Sequence, residues 1–199
     1  MNAAGIASRP SGRMAGRLQT IVVIAVTAVV IGVVTLLVSG NGSTNGVTDV
    51  TLTGNVSAAA PVVGGLPPGF TARTYDGKTV SLSDFAGKPL WLTFGASWCP
   101  DCRAESPDVE AEYQKYKGQG LQLLAIFISE SPTDISSYAG RAGLTFPIVV
   151  DQATALASTY RTLGIPTHFF IGADGRIRSI FIGALHPDDM DRAIAGILN

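Results

Sequence analysis

The two cysteines of this 199-residue chain stand three apart, in Trp98-Cys99-Pro100-Asp101-Cys102. They follow an apolar run, Leu90 to Gly95, that reads as a buried strand, and they precede a stretch that reads as a helix. Cys99 then falls at the helix cap, facing unsatisfied backbone N–H groups and the positive end of the helix dipole. Both stabilise a thiolate, which makes Cys99 the expected attacking sulfur. Cys102, one turn inside, is expected to be less exposed yet within bonding distance, and so able to resolve a mixed disulfide on Cys99. Pro100 suits the first helical position, where no backbone hydrogen bond is lost. Three other uses of the pair are weaker. A structural zinc site needs about four ligands, and His168 and His186 would have to complete it by coincidence. A purely structural disulfide across so short a loop removes little chain entropy. Two inert thiols would not need a helix cap.

The segment Phe94-Gly95-Ala96-Ser97-Trp98-Cys99-Pro100-Asp101-Cys102-Arg103-Ala104-Glu105-Ser106-Pro107, followed later by Gly164-Ile165-Pro166-Thr167, resembles the thioredoxin superfamily. More narrowly it resembles the membrane-anchored TlpA/ResA-like thiol-disulfide oxidoreductases. The resemblance covers about residues 66 to 199. It implies a cis Ile165–Pro166 bond in a loop that lies against the dithiol and pairs with the substrate chain, so that Ile165, Pro166 and Thr167 become substrate-binding residues along with Trp98 and Pro100. Trp98 is expected to shield the disulfide. Thioredoxins usually carry a buried Asp six residues before the first cysteine, where this chain has Thr93, so proton handling must use another group. Glu105 matches an acidic residue that ResA-like reductases hold beneath the active site. With Cys99 and Cys102 it completes the expected catalytic set. On spacing alone, Glu105 would read as a solvated helix glutamate.

The elements that must hold these residues alternate between strand and helix signals. Thr71 to Tyr75 and Thr79 to Leu82 flank Asp76-Gly77, a hairpin signal. A short turn or helix at Ser83-Asp84-Phe85 is broken by Gly87-Lys88-Pro89. After the strand Leu90 to Gly95 come a helix from Pro100 to about Lys117, a strand Leu121 to Ile128, a helix from about Thr133 to Ala142 and a strand Ile148 to Val150. A helix Ala153 to Tyr160, strands His168 to Ile171 and Ile177 to Phe181, and a helix Pro187 to Leu198 complete the order. The expected class is α/β: a thioredoxin-like mixed sheet flanked by helices, with an N-terminal hairpin. Asp108, Glu110 and Glu112, with Lys115 and Lys117, read as a solvated helix face. Asp188, Asp189 and Asp191 read as a helix N-terminus, and Asp151 and Asp174 as turn residues. None is assigned a metal, and no cofactor is expected.

The N-terminal third is organised differently. No charge falls between Leu18 and Val38, and residues 21–38 would rise about 27 Å as a helix, close to the hydrocarbon thickness of a bilayer. Arg9, Arg13 and Arg17 precede the run and no charge follows it until Asp49. This predicts a short cytoplasmic N-terminus, 1–17, and a signal anchor, 18–38; the resemblance implies that the membrane is a bacterial cell membrane. A flexible linker, 39–66, would then lead to an extracytoplasmic domain, 67–199, and a weak strand is possible near Val47 to Leu52. Secretion after signal-peptide cleavage is the alternative, with Val38-Ser39-Gly40 as a small-residue site; the apolar run exceeds a usual signal core.

A net charge of −1, without a basic run, gives no electrostatic support for nucleic-acid binding. The resemblance implies a reductase that draws electrons from a membrane electron-donor protein and reduces disulfides of extracytoplasmic clients, apocytochrome c or copper-site proteins among them. A thiol peroxidase is the first alternative, but Leu92 and Ala96 stand where that branch has its Pro and Thr/Ser. Copper delivery is the second, with a different cysteine spacing. A disulfide-forming oxidase is the third; such enzymes often carry His where this chain has Asp101.

Overall fold

The computed structural model describes residues 22, 24–33, 50–53 and 60–198. The chain divides into two compact units, Met1–Asn45 and Gly46–Asn199. In the first unit residues 22 and 24–33 are helical, with exposed Val22, Ile24, Val26 and Val29. Among the described residues no helix is long and apolar enough to cross a membrane. The remainder of the segment expected to span, residues 18–21, 23 and 34–38, lies outside them.

The second unit holds two sheets. The smaller has the order β1-β2-β3 and is antiparallel, with β1 Thr51–Thr53, β2 Gly69–Arg73 and β3 Thr79–Ser81. The larger has the order β6-β5-β4-β7-β8, with β4 Leu90–Gly95, β5 Gln122–Ile128, β6 Ile148–Asp151, β7 Thr167–Ile171 and β8 Ile177–Ile182. β4, β5 and β6 are mutually parallel, whereas β7 runs antiparallel to both β4 and β8. Among its described residues, two short 3-10 helices, Leu82–Phe85 and Lys117–Gln119, and four α-helices complete the unit: α1 Pro100–Tyr116, α2 Pro132–Ala142, α3 Ala155–Thr159 and α4 Pro187–Leu198.

Because side chains alternate across a strand, the large sheet builds two cores. One face carries Trp91, Leu123, Ala125, Phe127 and Phe170, covered by Val109 of α1, Ile135 and Tyr138 of α2, and Met190 and Ile194 of α4. The other carries Leu90, Leu92, Phe94, Leu124, Ile126, Phe169 and Ile171, packed against Phe70 and Ala72 of the hairpin and Leu156 and Tyr160 of the α3 region. The hairpin turn uses Gly77 at φ +83°, a left-handed conformation that glycine adopts without steric cost.

Four local readings change, the first being Asp151, read as a turn residue but found as the buried last residue of β6. Part of the segment expected as linker is ordered, since β1 pairs with β2 from Thr51↔Thr71 to Thr53↔Gly69, and Gly64 N donates to Ile177 O at 2.8 Å. Of the weak strand expected near Val47 to Leu52, residues 47–49 lie outside the described residues, and β1 covers Thr51–Thr53, held by its partner. α3 starts at Ala155 rather than Ala153 because Thr154 is left-handed at φ +57° and cannot continue a helix. Glu112 and Glu110 are not a solvated face. Glu112 is buried and pairs with Lys115, which also binds Asp191 of α4 at 2.6 Å, while Glu110 accepts from Thr145 N at 2.9 Å. Burial pushes the Glu112 carboxyl up, and the Lys115 ammonium holds Asp191 down.

Candidate active site

The site lies at the C-terminal end of β4, where the strand turns into α1. Cys99 is the N-cap of that helix: its backbone is extended, and its Sγ accepts from Cys102 N at 3.2 Å. The cap N–H of Cys99 donates to Ala96 O at 3.2 Å, closing the turn. Cys99 and Cys102 form a disulfide with Cα atoms 5.3 Å apart, so this is the oxidised state of the pair. Ala96, Ile128 and Ile165 pack around it. Pro100 occupies the first helical turn.

The sulfurs differ in setting more than in exposure. Cys99 was expected to be the more accessible, but the two residues are 4% and 5% exposed, in a cluster with Ala96 against which Ile128 and Ile165 pack. The cap position separates them, since only Cys99 meets the helix N-terminus. Cys102 lies over Gly95; a Cβ placed there would be 3.6 Å from Cys102 Sγ. Ser106 Oγ donates to Cys102 O at 2.6 Å, and Tyr138 Oη donates to Ser106 Oγ at 2.8 Å, which ties this turn of α1 to α2.

The second loop comes to the same place. Ile165–Pro166 is cis, as the resemblance implied, and Ile165 O lies 3.7 Å from Cys99 Sγ. Ile165 is half-buried, and Pro166 and Thr167 are buried. Thr167 Oγ1 donates to Gly164 O at 2.6 Å, so this hydroxyl braces its own loop. Trp98, expected to shield the disulfide, is instead 56% exposed and lines a cavity of about 670 Å³ with Ser97, Ser129, Glu130, Arg141 and Gln152.

Glu105 is on the buried face of α1, one turn beyond Cys102 and 7% exposed. Its Oε2 accepts from Leu185 N at 3.1 Å and lies 3.5 Å from His168 Nε2. Thr93, in the position of the missing acid, is paired across the β4–β7 ladder with His168; Thr93 Oγ1 is 3.0 Å from His168 Nδ1. Sequence reasoning missed His168 as a neighbour of Glu105. The signal was available in its position two residues after Pro166, on a strand that must pair with β4. Glu130 was missed as well. It is 5% exposed, accepts from Ser97 N at 2.5 Å and from Ser97 Oγ, and so pins the turn that carries Trp98 and Cys99. Its signal is its place just after β5, at the end of the parallel sheet where sites gather.

A mixed sheet with a dithiol at a helix cap and a cis-proline loop against it is a thioredoxin-like fold, and comparison with known proteins agrees. The AhpC/TSA family model matches residues 63–180. The chain is 34% identical over 138 residues to thiol-disulfide oxidoreductase ResA of Geobacillus kaustophilus (strain HTA426), covering 69% of this chain and 79% of that one. Among solved structures it is similar to the thiol:disulfide interchange protein DsbE of Chlorobium tepidum, with a TM-score of 0.65 and 26% identity over 70% of this chain and 100% of that one. A thioredoxin family protein of Chlorobium tepidum TLS gives a TM-score of 0.63 and 28% identity, covering 72% and 100%. The chain belongs to the AhpC/TSA family and is a ResA-like thiol-disulfide oxidoreductase.

Proposed function

We propose that the protein reduces disulfides of client polypeptides on the outer side of a bacterial membrane, to which its N-terminal apolar segment anchors it. The observation that carries the reductive chemistry is the placement of Cys99 Sγ at the α1 cap, 3.7 Å from the carbonyl of Ile165. There one sulfur is activated beside a backbone edge that a substrate chain can follow. In the reduced protein the Cys99 thiolate attacks one sulfur of the client disulfide. A Cys99–client disulfide forms, and the other client sulfur leaves as a thiolate that takes a proton. Cys102 then gives its proton to Glu105 and attacks Cys99. The Cys99–Cys102 disulfide forms and the second client thiol is released. A membrane electron-donor protein carrying a dithiol returns two electrons to the pair. The three arginines before the apolar segment support the orientation.

The polar cavity beside Trp98 supports a polypeptide client rather than a small peroxide. The positions that a peroxide-reducing site would need are filled by Leu92 and Ala96, both fully buried. Cys102→Ser in the full chain should trap a mixed disulfide on Cys99 with a client, and Cys99→Ser should trap none. A reduction potential below about −200 mV fits a reductant, whereas one near −120 mV would make the protein an oxidase and overturn the reading. Protease added to spheroplasts should remove the domain, and its survival beside a digested external control would overturn the topology.

A further inference from the structure

His168 is 0% exposed on β7, opposite Thr93 and on the sheet face that α1, α2 and α4 cover. Its two ring nitrogens have different company. Trp91 Nε1 lies 3.3 Å and Thr93 Oγ1 3.0 Å from Nδ1, while Glu105 Oε2 lies 3.5 Å from Nε2. An indole N–H can only donate, so Nδ1 must accept. The single proton of the neutral ring therefore sits on Nε2, the nitrogen that faces Glu105. A ring turned over would set carbon atoms against Trp91, Thr93 and Glu105 together, and a doubly protonated ring would set an N–H against the Trp91 N–H. Among the described residues Nε2 has no regular hydrogen bond. A shift of about half an ångström toward Glu105 would make one. Leu185 N already donates to the same carboxylate oxygen.

We propose that His168 is a positioning residue for Glu105: Trp91 fixes the Nε2–H tautomer, and the Nε2–H donates to Glu105 Oε2 and aims that carboxylate at its proton-accepting task. The inference rests on the reading of Glu105 as the acceptor of the Cys102 proton. Thr93 is then not an empty substitute for an acid; it helps to orient the ring that acts on the acid elsewhere. Other titratable groups on the surrounding elements are Cys102 on α1, Tyr138 on α2 and the exposed His186 next to Leu185, while β5, β8 and α4 present Phe127, Phe181 and Met190. The Glu112–Lys115–Asp191 set begins two turns further along α1, about 10 Å away. All of these persist in the variants below.

The test uses the full-length chain with ¹⁵N-labelled histidine and ¹³C-labelled glutamate carboxyls, followed from pH 3 to pH 9 in the oxidised form. The ring of His168 should show a protonated Nε2 and an unprotonated Nδ1. His168→Phe removes a donor to the charged carboxylate, so the Glu105 signal should titrate about one pH unit higher than in the wild type. His168→Gln can accept from Trp91 and donate to Glu105, and should restore the midpoint to within a few tenths. A proton on Nδ1, or an unmoved midpoint in His168→Phe, overturns the proposal. Should His168→Phe not fold, the wild-type tautomer and the His168→Gln midpoint decide it. The reading of Glu105 is judged separately in the reduced protein. If Glu105→Gln keeps the wild-type pH profile of client reduction, that reading fails, while the carboxyl titration still judges His168.

Discussion

The two faces of the central sheet are built from alternate residues of the same strands, yet they differ in kind. From β4 and β7 one face receives Leu90, Leu92, Phe94, Phe169 and Ile171, all buried and apolar. The other receives Trp91, Thr93, His168 and Phe170, and α1 adds Glu105. A buried hydroxyl, imidazole and carboxylate each cost desolvation that an apolar side chain of the same size would not. The apolar face does contain one carboxylate, Asp151, but it is spent on structure: its Oδ2 accepts from Ala157 N at the start of α3. The difference teaches where to look for chemistry in a thioredoxin-like sheet. The face under α1 is the candidate, since its polar groups lie against one another and against the turn below the cysteine pair.

The largest break in this comparison should come from the apolar face. Phe169 is 2% exposed, and its ring centroid lies 5.3 Å from that of Tyr160 and 5.9 Å from that of Phe94. Phe169→Ala should cost about 3–5 kcal/mol of stability, read as a fall in the urea midpoint. It should leave the pH profile of thiol reactivity unchanged wherever the domain remains folded. A shifted profile would mean that the two faces are not separable.

What the sequence shows and what it hides follow the same division. β4, the cysteine pair and α1 were legible because their signals are local: an apolar run, a Cys-Pro-Asp-Cys spacing and a proline at the first helical turn. The central strands were legible too, as continuous apolar runs. The polar set was not, because its contacts join residues distant in sequence: Thr93 meets His168 across 75 positions, Ser97 meets Glu130 across 33, and Leu185 meets Glu105 across 80. Glu105 alone read as a helix-surface glutamate, and His168 alone as an unconvincing metal ligand. The antiparallel pairing of β7 with β4 sets His168 beside Thr93, and α1 on the same face brings Glu105 to it. β1 was only weakly legible, as the end of the possible strand near Val47 to Leu52, because it is held by its pairing with β2.

A smaller effect should sharpen the contrast between the structural carboxylate, Asp151, and Glu105, the proposed proton acceptor. Burial pushes the Asp151 carboxyl up, and Asp151 Oδ1 has no hydrogen-bond partner among the described residues. A raised folded value means that the native state holds a proton which the unfolded chain has lost. The contribution is therefore most favourable at low pH and is lost as the pH rises from about 4 through the raised value. Asp151→Asn removes this titration while keeping an oxygen for Ala157 N. Its stability should fall less than that of the wild type between pH 4 and pH 7. Reactivity of the dithiol should not change. Equal pH dependence in the two proteins would show that the carboxyl is satisfied in its charged form.

The smallest expected effect is at Asp101, which belongs to neither face. It is exposed in the first turn of α1, between the two cysteines. Its negative charge has two opposed consequences there. It complements the helix dipole, which favours the folded helix in both redox states and so cancels from the redox equilibrium. It also opposes a thiolate on Cys99, and this acts only on the reduced form, because the disulfide carries no charge. A destabilised reduced form means a lower potential and a stronger reductant. Asp101→His removes the negative charge and can supply a positive one, so the potential should rise. Solvent screening at an exposed position limits the change to roughly 1 kcal/mol, or about 20 mV for this two-electron couple. Equilibration with glutathione at two salt concentrations should show a rise that shrinks at high salt. A fall in potential, or a rise indifferent to salt, would place the control of the couple in the buried set beneath Cys102 and not at the cap.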